Sequence, residues 1–414
     1  MKKIRIGIMG THRGSYFNPA ILHEGGEIVA VCEKLPDRIE WMKHQLRKAG
    51  ANDDIAFYNE FEEFINHEMD AVLIATPFDQ HANYAIRALE KNIHVLCENL
   101  SNATMAEGVA LVRAQENSKA QFMLLENYPF MKFNLELKKV IDGGTLGQIL
   151  YAEGEYNHPS NPYDEKLIKL YRPFPKHWRN FLPRTYYLTH SLAPLMYISG
   201  ATPKRVTAMP IYAPTERTSS NVADIASVMT TLNDDNSVFR FFGHSGFGYE
   251  ENSYRFCCQN GQVENRRGNE MEIAVSYNEW SIPEGKKKVN IYNAEWEKED
   301  EDIASIMGHF GGDFFIIREF FKVVRGQIKN PFDVYFATTL ASVAILAHRS
   351  QLEKGMPYDI PDFSKEEDRK KWENDNLTPF WGVDGSAPTL PCCSNPDFKP
   401  NEKAYQEYLN IIKN

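Results

Sequence analysis

Residues 10–15, Gly-Thr-His-Arg-Gly-Ser, directly follow an apolar segment that ends at Met9. A dinucleotide site needs a tight turn at such a place, because backbone N–H groups and the next helix terminus then face the pyrophosphate. The match to the usual three-glycine fingerprint is incomplete, since His12 and Ser15 occupy its second and third glycine positions. The same residues also fit an ordinary strand-to-helix turn.

Glu33 gives this turn its context, because it ends the second apolar segment, 23 residues after Gly10. A carboxylate there binds a ribose 2′-hydroxyl and repels a 2′-phosphate, which favours NAD over NADP. Lys34 and Arg13 weaken that preference, and Glu33 alone also fits a plain surface charge. Together the turn and the acid predict an NAD site.

Tyr187 and His190 stand three residues apart, immediately before an apolar helical segment. This spacing places both side chains on one face of a helix. A histidine, supported by tyrosines, transfers protons near neutral pH, so the pair is a candidate for acid–base chemistry. A histidine between Thr189 and Ser191 is also a common helix cap or satisfied core residue.

The elements that position these residues change in character along the chain. Up to residue 127, short apolar strands alternate with helical segments, which predicts a parallel, doubly wound Rossmann sheet. After a helix at residues 133–142, longer alternating runs predict an open, mainly antiparallel sheet with one covered face. The predicted strands are residues 4–9, 27–32, 71–75, 93–97, 121–126, 148–156, 203–212, 223–232, 237–243, 253–259 and 270–275.

The predicted fold class is therefore α/β: an N-terminal Rossmann domain followed by a C-terminal α+β domain. We expect an NAD-binding domain at residues 1–127 and a substrate domain at residues 128–363. Helices are predicted at residues 309–324 and 334–352, and the second is expected to pack back on the first domain. Residues 364–414 are polar and rich in turn signals, so we expect an arm along the surface.

Composition restricts the possible partners and the compartment. The 414 residues exceed the roughly 250–300 that one core accommodates, and the net charge of −10 disfavours nucleic acid and anionic membranes. No apolar run approaches the roughly 18–20 residues of a membrane helix. The first strand begins without an apolar leader, and the six cysteines form no disulfide framework, so we expect a cytoplasmic protein.

Residues 70–98 resemble the glucose-fructose oxidoreductase and inositol dehydrogenase family, whose members use NAD(P) and act on sugars. The likeness rests on Asp-Ala-Val-Leu-Ile-Ala-Thr-Pro at 70–77, on His81, and on His-Val-Leu-Cys-Glu at 94–98. In that family a Glu-Lys-Pro lysine transfers the proton of the oxidised carbinol. Asn99 stands in its place here, and an amide takes up no proton at neutral pH.

A closer resemblance is to the NAD-dependent α-N-acetylgalactosaminidase family of glycoside hydrolases, a branch that also lacks this lysine. Its motifs follow in family order from Gly10 to Phe363. The chain departs from the branch at His12 and at residues 160–175, which leaves the sugar open. The motifs are Glu126-Asn-Tyr, Glu155-Tyr-Asn-His158, Trp178-Arg179, Tyr187-Leu-Thr-His190-Ser-Leu-Ala-Pro194, His309-Phe-Gly-Gly-Asp313, Asp333-Val-Tyr335 and Ile360-Pro-Asp-Phe363.

The resemblance and the turn together predict the site residues. The predicted catalytic residues are Glu126, Tyr156, Tyr187, His190 and, as a looser match, Tyr254. The predicted cofactor-binding residues are Gly10, Thr11, His12, Arg13, Gly14, Glu33, Thr76, Pro77, His81, Glu98, Asn99, Asn127, Trp178, Arg179 and Tyr335. We predict no metal site, because His309 and Asp313, at helical spacing, fit a polar wall of the sugar pocket better.

The resemblance implies cleavage of a glycoside with no net redox change. C3 of the sugar is transiently oxidised, the acidified C2 proton leaves, the glycosidic bond breaks by elimination, water adds and the hydride returns. NAD then stays tightly bound and is recycled. We expect His190 to handle the C3 hydroxyl proton, Tyr156 or Tyr187 to be the C2 base or leaving-group acid, and Glu126 to orient the sugar.

Two other functions stay open. One is a sugar or cyclitol dehydrogenase with net NADH production, and the other is an inactive protein that binds sugar or NAD. Asn99 disfavours the dehydrogenase, and the retained Glu126, Tyr187 and His190 disfavour the inactive protein. The expected partners are a small sugar or glycoside and, by resemblance, further copies of the chain in a dimer or tetramer.

Overall fold

The computed structural model describes residues 3–159, 176–215, 220–243, 246–297 and 299–413. The chain forms two compact units. Unit 1 comprises Met1–Leu135, Glu295–Ala341 and Asp362–Asn374, and unit 2 comprises Glu136–Ala294, Ser342–Pro361 and Asp375–Asn414. The stretch at 160–175, where the sequence departs from its resemblance, lies outside the described residues.

Unit 1 contains a six-stranded parallel sheet in the order β3-β2-β1-β4-β5-β6. The four inner strands, β1, β2, β4 and β5, are buried along almost their whole length, as expected when helices cover both faces. The order reverses between β1 and β4, where ligands of such sheets bind outside the carboxyl ends. The strands are Ile4–Met9, Gly26–Cys32, Ala56–Tyr58, Ala71–Ile74, His94–Cys97 and Phe122–Leu124, numbered β1 to β6.

The helices of unit 1 begin and end at ordinary signals. Met105–Asn117 starts with a capping box, in which Thr104 and Glu107 satisfy each other's backbone N–H groups. Pro36–Ala49 has proline in its first turn and stops at the left-handed Gly50. The other helices wholly in unit 1 are Thr11–Gly14, Asn18–His23, Phe61–Phe64, His81–Glu90, Glu301–Ile306, Gly312–Val324 and Glu366–Trp372.

Unit 2 contains a nine-stranded sheet in the order β14-β13-β12-β11-β7-β10-β9-β8-β15. Neighbouring strands pair antiparallel except β7 and β10, which are parallel. The strands are Ile149–Asn157, Pro203–Tyr212, Asp224–Asn233, Val238–Gly243, Glu251–Cys258, Gly261–Arg266, Asn269–Tyr277, Val289–Asn293 and Tyr358–Asp359, numbered β7 to β15.

One helix of unit 2, Thr189–Ser199, lies against this sheet at very short range. A Cβ atom added to Gly154 of β7 would lie 2.1 Å from the carbonyl oxygen of Ser191. Ser191 Oγ donates to the carbonyls of Leu188 and Phe242. The helix also ends at a left-handed glycine, Gly200. Glu402–Lys413 is a further helix of unit 2, and Lys132–Asp142 and Val334–Leu352 each contain a boundary between the units.

The predicted fold class is confirmed: a parallel Rossmann sheet precedes a mostly antiparallel one. Four strands were not predicted, namely β3, β12, β14 and β15, because they are short, polar or half-exposed and show no clear alternation. The helix predicted from His309 begins at Gly312 instead, since residues 309–311 have left-handed backbone. Among the described residues, no helix has the length and apolarity needed to cross a membrane.

Candidate active site

The turn after β1 requires glycine at its first position. Gly10 has φ +88°, and a Cβ there would lie 2.4 Å from the carbonyl oxygen of Ala75. Gly14 is also tight, since an added Cβ would approach a methyl of Ile8 to 2.7 Å. The turn therefore lies directly against the end of β4, which leaves no room for side chains at either glycine.

Glu33 lies beside this turn, at the end of β2. Its Oε2 accepts hydrogen bonds from Thr11 Oγ1 at 2.7 Å and Thr11 N at 3.3 Å. Its Oε1 accepts from the backbone N–H groups of Lys34 and Leu35. All four acceptor positions of the carboxylate are used, so a ribose hydroxyl that binds here must replace one of these donors.

Arg13 is the centre of an ion cluster, here called the Arg13 cluster: Arg13, Glu98, Asn127, His309 and Asp313. Arg13 donates from Nε to Glu98 at 2.9 Å and from its two terminal nitrogens to Asp313 at 3.0 and 2.7 Å. Asp313 also accepts from Asn127 Nδ2 at 2.6 Å and pairs with His309 Nδ1 at 3.0 Å. Burial alone would raise the pKa of Asp313, yet Arg13 and His309 lower it well below its usual range.

Asn99 is committed to a carboxylate. Its Nδ2 donates to Glu126 Oε2 at 2.7 Å and to the Leu125 carbonyl at 3.2 Å. Glu126 is fully buried and also accepts from the backbone N–H of Tyr128 at 3.1 Å. At the position where the resemblance to the oxidoreductase family implies a proton-transferring lysine, this chain therefore has a neutral donor that holds Glu126 in place.

His81 ties together the loops that follow β4 and β5. Its Nε2 lies 2.8 Å from the Thr76 carbonyl and its Nδ1 lies 2.8 Å from the Leu100 carbonyl. Burial lowers the pKa of His81, and a neutral ring donates to one of these carbonyls at a time. We infer that His81 positions the loops that hold Thr76, Pro77 and Asn99.

The residues at the carboxyl edge of unit 1's sheet fit NAD. Asn99 Oδ1 and Thr76 Oγ1 are buried polar atoms that have no hydrogen-bond partner within the described residues. Buried polar groups are almost always paired, and NAD offers ribose hydroxyls and a carboxamide to pair with them. Together with the tight turn at Gly10 and the carboxylate of Glu33, they form a suitable set of contacts for a dinucleotide.

Tyr335 lies apart from this edge. Its hydroxyl donates to Glu116 at 2.7 Å, and burial beside that carboxylate raises the pKa of Tyr335 to about 12. Glu116 is at the end of Met105–Asn117, a helix that starts after β5 and runs back toward the amino end of β6.

His12 lies in the turn after β1, where its ring packs edge-on against Tyr16.

Unit 2 brings three predicted catalytic residues together, here called the Tyr156 cluster: Tyr156, Tyr187 and His190. The two tyrosine rings stack at 5.8 Å, and the His190 ring meets both edge-on, at 5.0 Å from Tyr156 and 5.3 Å from Tyr187. The residues come from the end of β7, a 3-10 turn and the first turn of Thr189–Ser199. The ring of His158 also stacks on Tyr156, with 5.6 Å between the ring centroids.

Tyr254, on strand β11, supports the backbone of this cluster. It is completely buried, and its hydroxyl donates to the carbonyl oxygen of His190 at 2.5 Å. Its backbone N–H donates to Asn265 Oδ1, itself buried. The looser sequence match at Tyr254 thus corresponds to a residue that fixes the backbone of His190. Sequence reasoning missed Asn265 and Gly154, because neither has a chemical signature of its own.

Trp178 and Arg179 are in unit 2, in one 3-10 turn that ends at Asn180. The Arg179 guanidinium lies over the Trp178 ring, 4.3 Å from its centroid. Such a cation–π pair presents an apolar face and a fixed positive charge next to each other.

Within the described residues, no group of three or more histidine, cysteine, aspartate or glutamate side chains could hold a metal ion.

Comparison with known families finds a match for two parts of the chain. Residues 4–125 match a model described as oxidoreductase family, NAD-binding Rossmann fold. Residues 227–373 match the glycosyl hydrolase 109 C-terminal domain. The two matches confirm both resemblances drawn from the sequence, one for each part of the chain, and they identify the chain as an NAD-dependent enzyme.

Individual relatives agree with this assignment. A glycosyl hydrolase family 109 protein of Stenotrophomonas maltophilia is 23% identical over 88% of this chain and 89% of its own. A glycosyl hydrolase family 109 protein 1 of Bacteroides thetaiotaomicron is 24% identical over 88% and 85%. The solved structure of levoglucosan dehydrogenase with NADH and L-sorbose superposes with a TM-score of 0.69 at 16% identity, covering 88% of this chain and all of that one, which shows a common fold.

Proposed function

We propose that this protein is an NAD-dependent glycosidase. It cleaves its substrate through transient oxidation at C3 and an elimination that removes the C2 proton and breaks the glycosidic bond. The observation that carries the proposal is the Tyr156 cluster, in which two phenols and an imidazole pack ring against ring. Elimination needs several proton-transfer groups, and the cluster offers three. The glycosyl hydrolase 109 match over residues 227–373 supports the same reading.

The roles follow from the chemistry of each side chain. Bound NAD supplies a hydride acceptor and later a hydride donor. His190 takes the proton of the C3 hydroxyl, and Tyr156 or Tyr187 removes the C2 proton or protonates the leaving group. Glu126 orients sugar hydroxyls, and Asn99 keeps it in place through a charge-assisted hydrogen bond of 2.7 Å.

The support for a lysine-free route comes from Asn99. A simple dehydrogenase needs a base at the carbinol, and the Asn99 amide both lacks basicity and is engaged by Glu126. Relocating proton transfer to the tyrosines and His190 explains how such a site stays active. Sequence and contacts therefore favour a redox-neutral lyase-and-hydration route over net oxidation.

Three finer properties belong to the same proposal. NAD stays bound between turnovers, because its redox state is restored in each cycle. The chain assembles into a dimer or tetramer, for which the exposed Val289 and Ile291 of the edge strand β14 offer an apolar contact. The enzyme works in the cytoplasm on a small sugar or glycoside.

The test is turnover of a panel of aryl glycosides by the purified wild-type chain with NAD. We expect release of the aglycone while absorbance at the NADH band stays flat. NADH that accumulates with the substrate would identify a dehydrogenase instead. Nucleotide binding without any turnover across the panel would identify an inactive binding protein.

Variants of the Tyr156 cluster locate the chemistry. His190→Ala and Tyr187→Phe should each lower kcat by about 10²–10⁴-fold, the usual contribution of a positioned acid or base. Tyr212→Phe is the matched control, since Tyr212 is an exposed tyrosine of unit 2 whose hydroxyl meets Asn395. If both cluster variants kept most of the turnover, the assigned roles would be wrong.

A further inference from the structure

Residues 309–311 form a loop with unusual backbone. His309, Phe310 and Gly311 have φ values of +54°, +47° and +81° in succession. Non-glycine residues seldom adopt this conformation, and where they do so the cause is often functional. Space is also short, because a Cβ at Gly311 would lie 2.6 Å from the Trp296 ring. The loop therefore holds the His309 side chain in a defined place just before the helix Gly312–Val324.

Asp313 orients the His309 ring. Its Oδ2 lies 3.0 Å from His309 Nδ1, and Asp313 itself is only 2% exposed. Arg13 and Asn127 hold the carboxylate from the other side, and Arg13 keeps it ionised. Because an ionised carboxylate only accepts hydrogen bonds, Nδ1 carries the proton that faces Asp313, and whenever the ring is neutral Nε2 is an acceptor.

The position of this ring points to a nucleotide rather than a sugar wall. Arg13 and Asn127, the partners of Asp313, follow β1 and β6, and Glu98 follows β5. All three follow the carboxyl ends of parallel strands, where a Rossmann sheet binds its dinucleotide. The His309 ring also packs against Tyr128, the residue after Asn127, with 5.7 Å between centroids. The ring thus contacts a residue that follows β6 directly, and it is linked to Arg13 in the turn after β1 through Asp313.

We propose that His309 is a further NAD-binding residue, whose Nε2 accepts a hydrogen bond from the nicotinamide half of the dinucleotide. The donors available there are the ribose hydroxyls and the carboxamide N–H. Its side chain is 37% exposed, so a ligand reaches the ring. This inference rests on NAD binding, which the proposed function also uses, and it is independent of glycosidase chemistry.

The test compares NAD and ADP binding to full-length variants by calorimetry. His309→Asn retains a donor to Asp313 and suits left-handed backbone, but it lacks a group at the place of Nε2. His309→Gln keeps a polar group at that place. We expect His309→Asn to weaken NAD binding about tenfold with ADP affinity unchanged, as for one lost hydrogen bond, and His309→Gln to stay within about threefold of wild type.

His23→Asn is the matched control, because His23 also pairs with a carboxylate in unit 1, Glu24, at 3.2 Å. It should bind NAD like the wild type. Equal NAD affinity of His309→Asn and wild type would overturn the inference, and so would parallel losses of NAD and ADP, which indicate a structural role only. A wild-type chain that binds no NAD would also overturn it, whereas NAD binding without aglycone release contradicts the glycosidase proposal alone.

Discussion

At the scale of single residues, Asn99 shows how a side chain can lose one role and keep another. The residue cannot act as a base, but it donates to a carboxylate that is fully buried. An unpaired Glu126 would be costly, since buried charges need partners. The absence of lysine was visible in the sequence, whereas the pairing with Glu126, 27 residues away, was not.

Asn99→Asp should lower the free energy of unfolding by about 2–3 kcal/mol, because it removes the donor and sets two carboxylates side by side. Urea denaturation at pH 7 measures the change. Asn52→Asp is the matched control: Asn52 donates to Glu27 at 3.3 Å on the surface, and its loss should cost less than about 0.5 kcal/mol. Similar losses in both variants would contradict this role.

Asp313 predicts a pH dependence. Its folded-state pKa lies below the ordinary value because of Arg13 and His309, although burial opposes the shift. The ion pair therefore contributes fully above the ordinary carboxyl pKa of about 4, and its contribution falls as the pH drops below that value. Breaking such a buried pair costs about 3–5 kcal/mol at pH 7.

Asp313→Asn should accordingly be less stable than wild type by a constant margin between pH 7 and pH 5. The margin should shrink below about pH 4, because the Asp313 carboxyl of the unfolded wild-type chain then takes up a proton while the folded one stays ionised. Denaturant titrations across this range measure it. A margin that is unchanged or larger at acid pH would show that the charge of Asp313 does not stabilise the fold.

At the scale of elements, the close packing of Thr189–Ser199 on β7 positions His190. The helix approaches so closely that Gly154 has no room for a Cβ. Tyr254, on β11 beside β7, adds a hydrogen bond to the His190 carbonyl from the same sheet. Two strands and a helix together determine where the imidazole lies.

Gly154→Ala should lower kcat by at least tenfold and the free energy of unfolding by about 1–3 kcal/mol. The new methyl group would collide with the Ser191 carbonyl oxygen and push the helix away from the sheet. Turnover and thermal unfolding measure both effects. Gly268→Ala is the control: nothing lies within 4 Å of an added Cβ there, and only its φ of +79° adds strain. Turnover of Gly154→Ala equal to that of Gly268→Ala would contradict the positioning role.

The elements that sequence predicted best are those with unbroken periodicity. Val334–Leu352 and Pro203–Tyr212 were predicted at their observed bounds. The three half-buried residues of Ala56–Tyr58 and the polar strand Gly261–Arg266 have too little alternation to be detected. The start of Gly312–Val324 was misplaced because a left-handed loop leaves no mark on hydrophobic spacing.

At the scale of the whole molecule, each unit carries its own group of candidate functional residues. Unit 1 provides a dinucleotide turn, a buried ion cluster and a neutral Asn99, and unit 2 provides the Tyr156 cluster. Short motifs in the right order supplied the residues of both sets as candidates. The link between Arg13 and Asp313 spans 300 residues and could only come from the folded structure.

The central claim is an elimination that removes the C2 proton of the sugar. Hydrolysing an aryl glycoside substrate in D2O with the wild-type chain tests it most directly. The released sugar is then analysed by NMR and mass spectrometry. Removal of the C2 proton by a side chain that exchanges with solvent predicts about one deuterium at C2 per turnover, with the hydrogen at C3 retained. Aglycone release with ordinary hydrogen at C2 would mean direct hydrolysis and would contradict the account.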